Sequence, residues 1–195
     1  KLGTKSEDYS KNRLNNLFPF ANRIKHIMRK NSKTRSQKNI SQHYDLSNDF
    51  FKLMLDDTMM YSSAVFENAE DDLHSAQKRK IQNLAQKLRI KPGAKVLEIG
   101  SGWGAMAIYL AKEMQCDVTT VTLSNEQKEL CHERFKLENI EEKIDILLKD
   151  YRDIEGTFDA IISIEMFEAV GAEYFDAFFT KCESLLKPSG VLAMQ

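Results

Sequence analysis

The 195-residue chain predicts an α/β fold, a parallel sheet with helices on both faces, and two observations carry that expectation. From about residue 71 onward, short apolar runs of strand length alternate with longer segments of helical period, and such alternation buries a parallel sheet between helical layers. At Val96-Leu97-Glu98-Ile99-Gly100-Ser101-Gly102-Trp103-Gly104 a strand runs into a glycine loop and then a helix. Ligands of α/β sheets bind at such junctions, beyond the carboxyl ends of the strands. An apolar content of 42% suffices for one well-cored domain with an appendage.

The elements follow in order. In the first forty residues the lysines and arginines far outnumber the two acids, Glu7 and Asp8, and Leu14, Leu17, Phe18, Ala21, Ile24, Ile27 and Met28 recur at three- and four-residue steps. This is the pattern of a basic amphipathic helix, kinked or split at Pro19, and the polar stretch 31–38 reads as a linker. Residues 1–38 are thus an appended helical segment and 39–195 the main domain. A helix is expected over 48–55 with Ser47 as N-cap. Asp71 or Asp72 caps a further helix whose apolar face is Leu73, Ala76, Ile81, Leu84, Ala85 and Leu88, closed by Lys91-Pro92-Gly93. Strands are expected at 95–99, 117–123, 144–148, 158–164 and from 191 onward. Helices fill 105–114, 126–138 and 174–186.

A net charge of −1 gives no global field toward nucleic acid or membrane, so no nucleic-acid partner is expected and any lipid attraction is local to the basic segment. Cys116, Cys131 and Cys182 are odd in number and lack metal-ligand spacing, which argues against a disulfide framework or a metal site and for a reducing cytoplasm. No apolar run approaches the roughly 20 residues of a membrane span. The chain opens at Lys1 and stops at Gln195 inside a strand-like run, so it reads as a piece of a longer protein whose last strands are missing.

Glycines let the loop turn tightly and let a ligand approach the main chain with no Cβ in the way. Gly100, Gly102 and Ala105 also satisfy a dinucleotide fingerprint, but that reading needs an acid at the end of the second strand, and Val121-Thr122-Leu123-Ser124 has none. The acid instead precedes the glycines, at Glu98, a pattern that resembles class I methyltransferases. A carboxylate at Asp150, after the third strand, can accept from an adenine amino group, and Gln127 can offer donor and acceptor to a ribose or methionine end. Trp103 is either a wall of that site or a packing residue.

The segments His43-Tyr44-Asp45-Leu46-Ser47-Asn48-Asp49-Phe50-Phe51, Tyr61-Ser62-Ser63-Ala64, Ala76-Gln77, the glycine loop, Thr122-Leu123-Ser124-Asn125-Glu126-Gln127, Asp150-Tyr151-Arg152 and Phe167-Glu168-Ala169-Val170-Gly171 stand in one order and spacing. From about Asn39 to its end the chain resembles the cyclopropane fatty acid synthase family. The resemblance implies a Rossmann-like class I methyltransferase fold with S-adenosylmethionine as cofactor. The implied reaction adds a methyl carbon across an acyl-chain double bond of a membrane phospholipid. The implied enzyme is cytoplasmic and peripheral at the inner face of the membrane. It implies a cofactor site of Tyr61, Ser62, Glu98, Gly100, Gly102, Trp103, Gly104, Thr122, Leu123, Gln127, Asp150 and Tyr151. At the reacting centre it implies a base, a bound bicarbonate held partly by Glu168. Ring faces at Tyr44, Tyr61 and Phe167 can stabilise a carbocation.

Three positions depart from the best-known bacterial members: their Tyr-Ser-Cys reads Tyr61-Ser62-Ser63, their Glu-His reads Glu168-Ala169, and their histidine after the fifth strand is Gln195. Glu168, Tyr44 and Gln195 are the catalytic candidates. Two of the departures fall near the implied bicarbonate, so that ligand is an open question. The changes resemble the branch with plant-type cyclopropane synthases and with enzymes that make methyl-branched chains. A ring, a methyl or methylene branch, N- or O-methylation of a small molecule, and cofactor binding without turnover all stay open, as does a homodimer.

Overall fold

A computed structural model describes residues 48–195. The basic helix and linker expected over 1–38, the N-cap Ser47 and the candidate Tyr44 lie outside the described residues.

Five strands, β1 (Lys95–Ile99), β2 (Asp117–Thr122), β3 (Ile144–Leu148), β4 (Phe158–Ser163) and β5 (Leu186–Met194), form one sheet in the order β3-β2-β1-β4-β5. Every pairing is parallel. The chain runs outward from β1 through β2 to β3, then returns to the other side of β1 for β4, so the order reverses at β1. The crevice at such a reversal is where open α/β sheets take their ligands. Ile99 pairs with both Val121 and Ser163, which brings the carboxyl ends of β1, β2 and β4 level.

The helices are α1 (Asn48–Met54), α2 (Leu73–Lys87), α3 (Ala105–Lys112), α4 (Asn125–Leu137) and α5 (Phe175–Leu185). Strand side chains alternate between faces. Val96 of β1 joins a core with Leu84 of α2, Met106 and Leu110 of α3 and Phe135 of α4. Leu97 and Ile99 turn the other way, onto Phe178, Cys182 and Leu185 of α5. Both faces are therefore covered, as the near-continuous apolar strands require. Asp72 caps α2 by accepting from Ser75 N–H at 2.7 Å. The buried face of α2 contains Ala76, Ile81, Leu84 and Ala85 as expected, and it also takes in Gln77 and Lys80.

One boundary differs from expectation. Helix α5 ends at Leu185 and β5 begins at Leu186 rather than at 191, because Leu186 already pairs with Phe158. The turn-forming run Lys187-Pro188-Ser189-Gly190 is taken up as a register shift between Phe158 and Ala160, with Ser189 at φ +70°, and the strand resumes at Val191. Among the described residues no helix is long and apolar enough to cross a membrane.

Candidate cofactor and reaction site

The glycine loop leaves β1 at the level of β2 and is tied there, since Gly100 and Ser101 N–H both donate to Val121 O at 3.1 and 2.9 Å. Gly102 has φ +48°, and a Cβ built on it would meet nothing within 4 Å, so its backbone is open to a ligand. Gly104 opens α3 at φ +89°, where a Cβ would lie 2.7 Å from the Phe135 ring; only glycine lets the loop close onto α4.

Glu98 lies below this loop. It is 3% exposed, accepts from Thr120 Oγ1 at 2.6 Å, and burial pushes its pKa up to about 8. A protonated carboxyl bridging β1 and β2 is the result at neutral pH. Alternation along β1 turns the Glu98 side chain inward, beneath the loop that follows it. Trp103 is enclosed as well. Its ring, 3% exposed, packs 4.7 Å from Phe51 beside Met59, and its Nε1 donates to Asn48 Oδ1 at 3.0 Å. It joins α1 to the loop.

Beyond β2, Thr122 Oγ1 donates to Gln127 Oε1 at 2.6 Å, Ser124 Oγ caps α4 by accepting from Gln127 N–H at 3.2 Å, and Leu123 is half-buried beside them. The acceptor of Gln127 is thus engaged by Thr122, which leaves its amide nitrogen as the group it can present. Beyond β3, Asp150 is held by Arg152, whose Nε donates to Oδ1 at 2.8 Å and Nη2 to Oδ2 at 2.6 Å. Tyr151 next to it packs edge-on to Phe178 at 5.4 Å.

The segment 60–63 crosses toward the ends of β4 and β5. Tyr61 is 58% exposed and edge-on to Phe51. The carbonyl of Ser62 accepts from Gln77 Nε2 at 2.8 Å, and its Oγ accepts from Lys80 Nζ at 2.5 Å. Lys80 is 1% exposed, and burial lowers its pKa to about 8. Ser63 and Gln195 meet at Glu165, a residue not among the expected set: Ser63 N–H and Oγ and Gln195 Nε2 donate to its Oε1 at 2.9, 2.6 and 3.0 Å. Glu168 stands three residues on, exposed in the turn Phe167–Ala169, and Phe167 stacks on Phe175 at 4.3 Å, a packing role.

Sequence reasoning missed Lys80 and Glu165. A lysine at a core position of the α2 period, one residue before Ile81, was the available signal for the first. Glu165 had none, because its partners are 102 and 30 positions away.

The strand order and the glycine loop at the reversal define a class I methyltransferase fold. Residues 31–195 match the family described as mycolic acid cyclopropane synthetase, and the chain belongs to it. It is 44% identical over 153 residues to the cyclopropane-fatty-acyl-phospholipid synthase of Escherichia coli (strain K12), covering 78% of this chain and 39% of that protein. It is 40% identical over 171 residues to the tuberculostearic acid methyltransferase UfaA1 of Mycobacterium tuberculosis, covering 84% and 40%. The chain thus spans about two fifths of these relatives. Among solved structures, mycolic acid cyclopropane synthase CmaA1 complexed with SAH and CTAB superposes with a TM-score of 0.77 at 34% identity, over 81% of this chain and 55% of that one. Coclaurine N-methyltransferase bound to N-methylheliamine and SAH superposes with a TM-score of 0.74 at 27% identity, over 79% and 44%.

Proposed function

We propose that the chain is the cofactor-binding core of an S-adenosylmethionine-dependent C-methyltransferase that acts on the double bond of an unsaturated acyl chain in a membrane phospholipid and forms a cyclopropane ring. The observation that carries this reading is the open face over Gly102 at the sheet reversal, in a chain of the cyclopropane synthetase family.

The residues present fit S-adenosylmethionine. The bare backbone at Gly102 admits a ligand, and the Gln127 amide, Asp150, Tyr151 and the strap residues Tyr61 and Ser62 offer polar and aromatic groups around it. When bound, the cofactor supplies an electrophilic methyl group on a sulfonium. The protein binds, orients and excludes water. Lys80 and Gln77 hold the strap in place, and half-buried Leu123 and the aromatic cluster at Phe167 keep the crevice apolar. The exposed face of Tyr61 can stabilise positive charge on the acyl chain. Glu168 is assigned to the reacting centre as a hydrogen-bonded anchor. For the full-length protein we place the basic segment 11–30, by its sequence, at the inner face of the membrane, its cations toward anionic headgroups. Flotation with anionic vesicles, with and without residues 1–30, checks that placement.

Methyl-labelled S-adenosylmethionine, offered to the full-length protein with unsaturated phospholipid vesicles or with soluble amines, tests the function. Label in the lipid, with the mass and fragmentation of a ring, is the expected outcome. Label in the amines alone favours the second reading, small-molecule N-methylation, which the likeness to coclaurine N-methyltransferase supports.

A further inference from the structure

Adding a carbon across a double bond leaves a positive charge on the chain, and the product becomes neutral only when the added carbon gives up a proton. Some group must take it. On the methyl-transfer reading above, we propose that Glu165 is that proton acceptor, its carboxylate held by Ser63 and Gln195 beyond the ends of β4 and β5.

Three donors converge on Oε1: Ser63 N–H, Ser63 Oγ and Gln195 Nε2. Oε2 receives none of these bonds. The backbone is equally committed, since Glu165 N–H donates to Gln195 O at 2.9 Å and Gln195 N–H to Ser163 O at 3.1 Å, which prolongs the β4–β5 ladder past its last paired residues. Glu165 holds φ +45°, a left-handed conformation that glycine adopts freely and a glutamate adopts against strain. The carboxylate therefore occupies a place where the backbone alone would favour no side chain. Packing does not explain it, because the residue is exposed.

The electrostatics suit the task. Burial pushes the Glu165 pKa up, but the hydrogen bonds from Ser63 and Gln195 and the charge of Lys80 more than offset it, so it lies below the ordinary glutamate value. Asp56 is the other acid whose charge acts on Lys80, and it is occupied by Thr58 and His74. An ionised carboxylate at neutral pH is a weak base, and a weak base is enough, since a C–H bond beside a carbocation is strongly acidic. In the step, that C–H bond of the added carbon breaks. Its electron pair becomes the second ring bond, to the carbon left cationic, and the proton passes to Glu165 and on to water. No oxidant or reductant is needed. If a hydride first shifts from the methyl-bearing carbon to its cationic neighbour, the pair closes a methylene double bond instead, and the same proton goes to the same acceptor.

The decisive variant is Glu165→Gln in the full-length protein, because the amide oxygen can still accept from Ser63 and Gln195 while basicity is lost. Turnover should fall by about a hundredfold or more, the scale of lost general-base assistance, with S-adenosylhomocysteine affinity unchanged by calorimetry. The infrared difference between ligand-free wild type and variant should show a carboxylate titrating below the ordinary glutamate range. Glu165→Gly, which relieves the backbone, should regain part of its turnover with added formate, and wild type should be indifferent to depletion of bicarbonate. Wild-type turnover in Glu165→Gln, a parallel loss of cofactor affinity, or a wild type that stops without bicarbonate would each overturn the proposal. Absence of lipid methylation by wild type overturns the proposed function and this role together, whereas methylation by wild type and Glu165→Gln alike overturns this role alone.

Discussion

Lys80 Nζ lies 2.5 Å from Ser62 Oγ, so an almost wholly buried lysine of α2 ties down the strap that carries Tyr61 and Ser62. Hydrogen bonds from a charged donor are worth about 1.5 to 3 kcal/mol, and Lys80→Met is expected to weaken S-adenosylhomocysteine binding about tenfold or more. A second readout comes from the titration. The folded pKa of about 8 is below the ordinary 10.5, so folding disfavours the charged form. Stability from this group is present above 10.5, is lost as pH falls toward 8, and is constant below that. Denaturant titrations from pH 7 to 11 should show wild type gaining on the variant as pH rises; parallel curves and equal affinity would remove Lys80 from this role.

Gly102→Val should abolish cofactor binding in calorimetry. The new side chain would project into the space a ligand needs and would hold φ +48° against its preference. Retained affinity would mean that the ligand approaches from elsewhere.

Glu98→Gln should flatten the pH dependence of stability. The folded pKa of about 8 is above the ordinary 4.5, so the contribution of Glu98 is full below 4.5 and declines as pH rises to about 8. The amide keeps an oxygen for Thr120 and never has to ionise, so the variant should gain on wild type steadily across that window. Thermal unfolding followed at several pH values between 4 and 9 measures it, and equal slopes for the two proteins would contradict the buried, protonated state.

Glu168→Gln in the full-length protein should leave cofactor affinity nearly unchanged and cut turnover by about a hundredfold, the cost of misplacing or failing to assist the reacting group. Turnover like wild type would take Glu168 out of the reacting centre.

The sheet was legible in the sequence because burial on both faces writes each strand as an apolar run: the ranges for β1 and β3 agree with expectation to the residue. The α5–β5 boundary was not, because Pro188, Ser189 and Gly190 carry turn chemistry that a bulge can also use. The site divides in the same way. Gly102 and Gln127 announce themselves locally, through the spacing of the loop and the end of β2. The roles of Trp103 and Glu98 depended on which neighbours the fold would supply. Asn48, 55 positions away, and Thr120, 22 positions away, decide them. Lys80 and Glu165 act through contacts that no local pattern encodes.

Trp103 is the one tryptophan among 195 residues, and it sits within the glycine loop with its ring against Phe51 and its N–H on Asn48. The indole fluorescence of these 195 residues therefore arises from a single point, at the joint between α1 and the glycine loop. A blue-shifted emission reports a closed joint, and a red shift reports water reaching the ring as the joint opens. The molecule carries its own optical gauge, so the grip of its first described helix on the loop can be followed during ligand binding without any label.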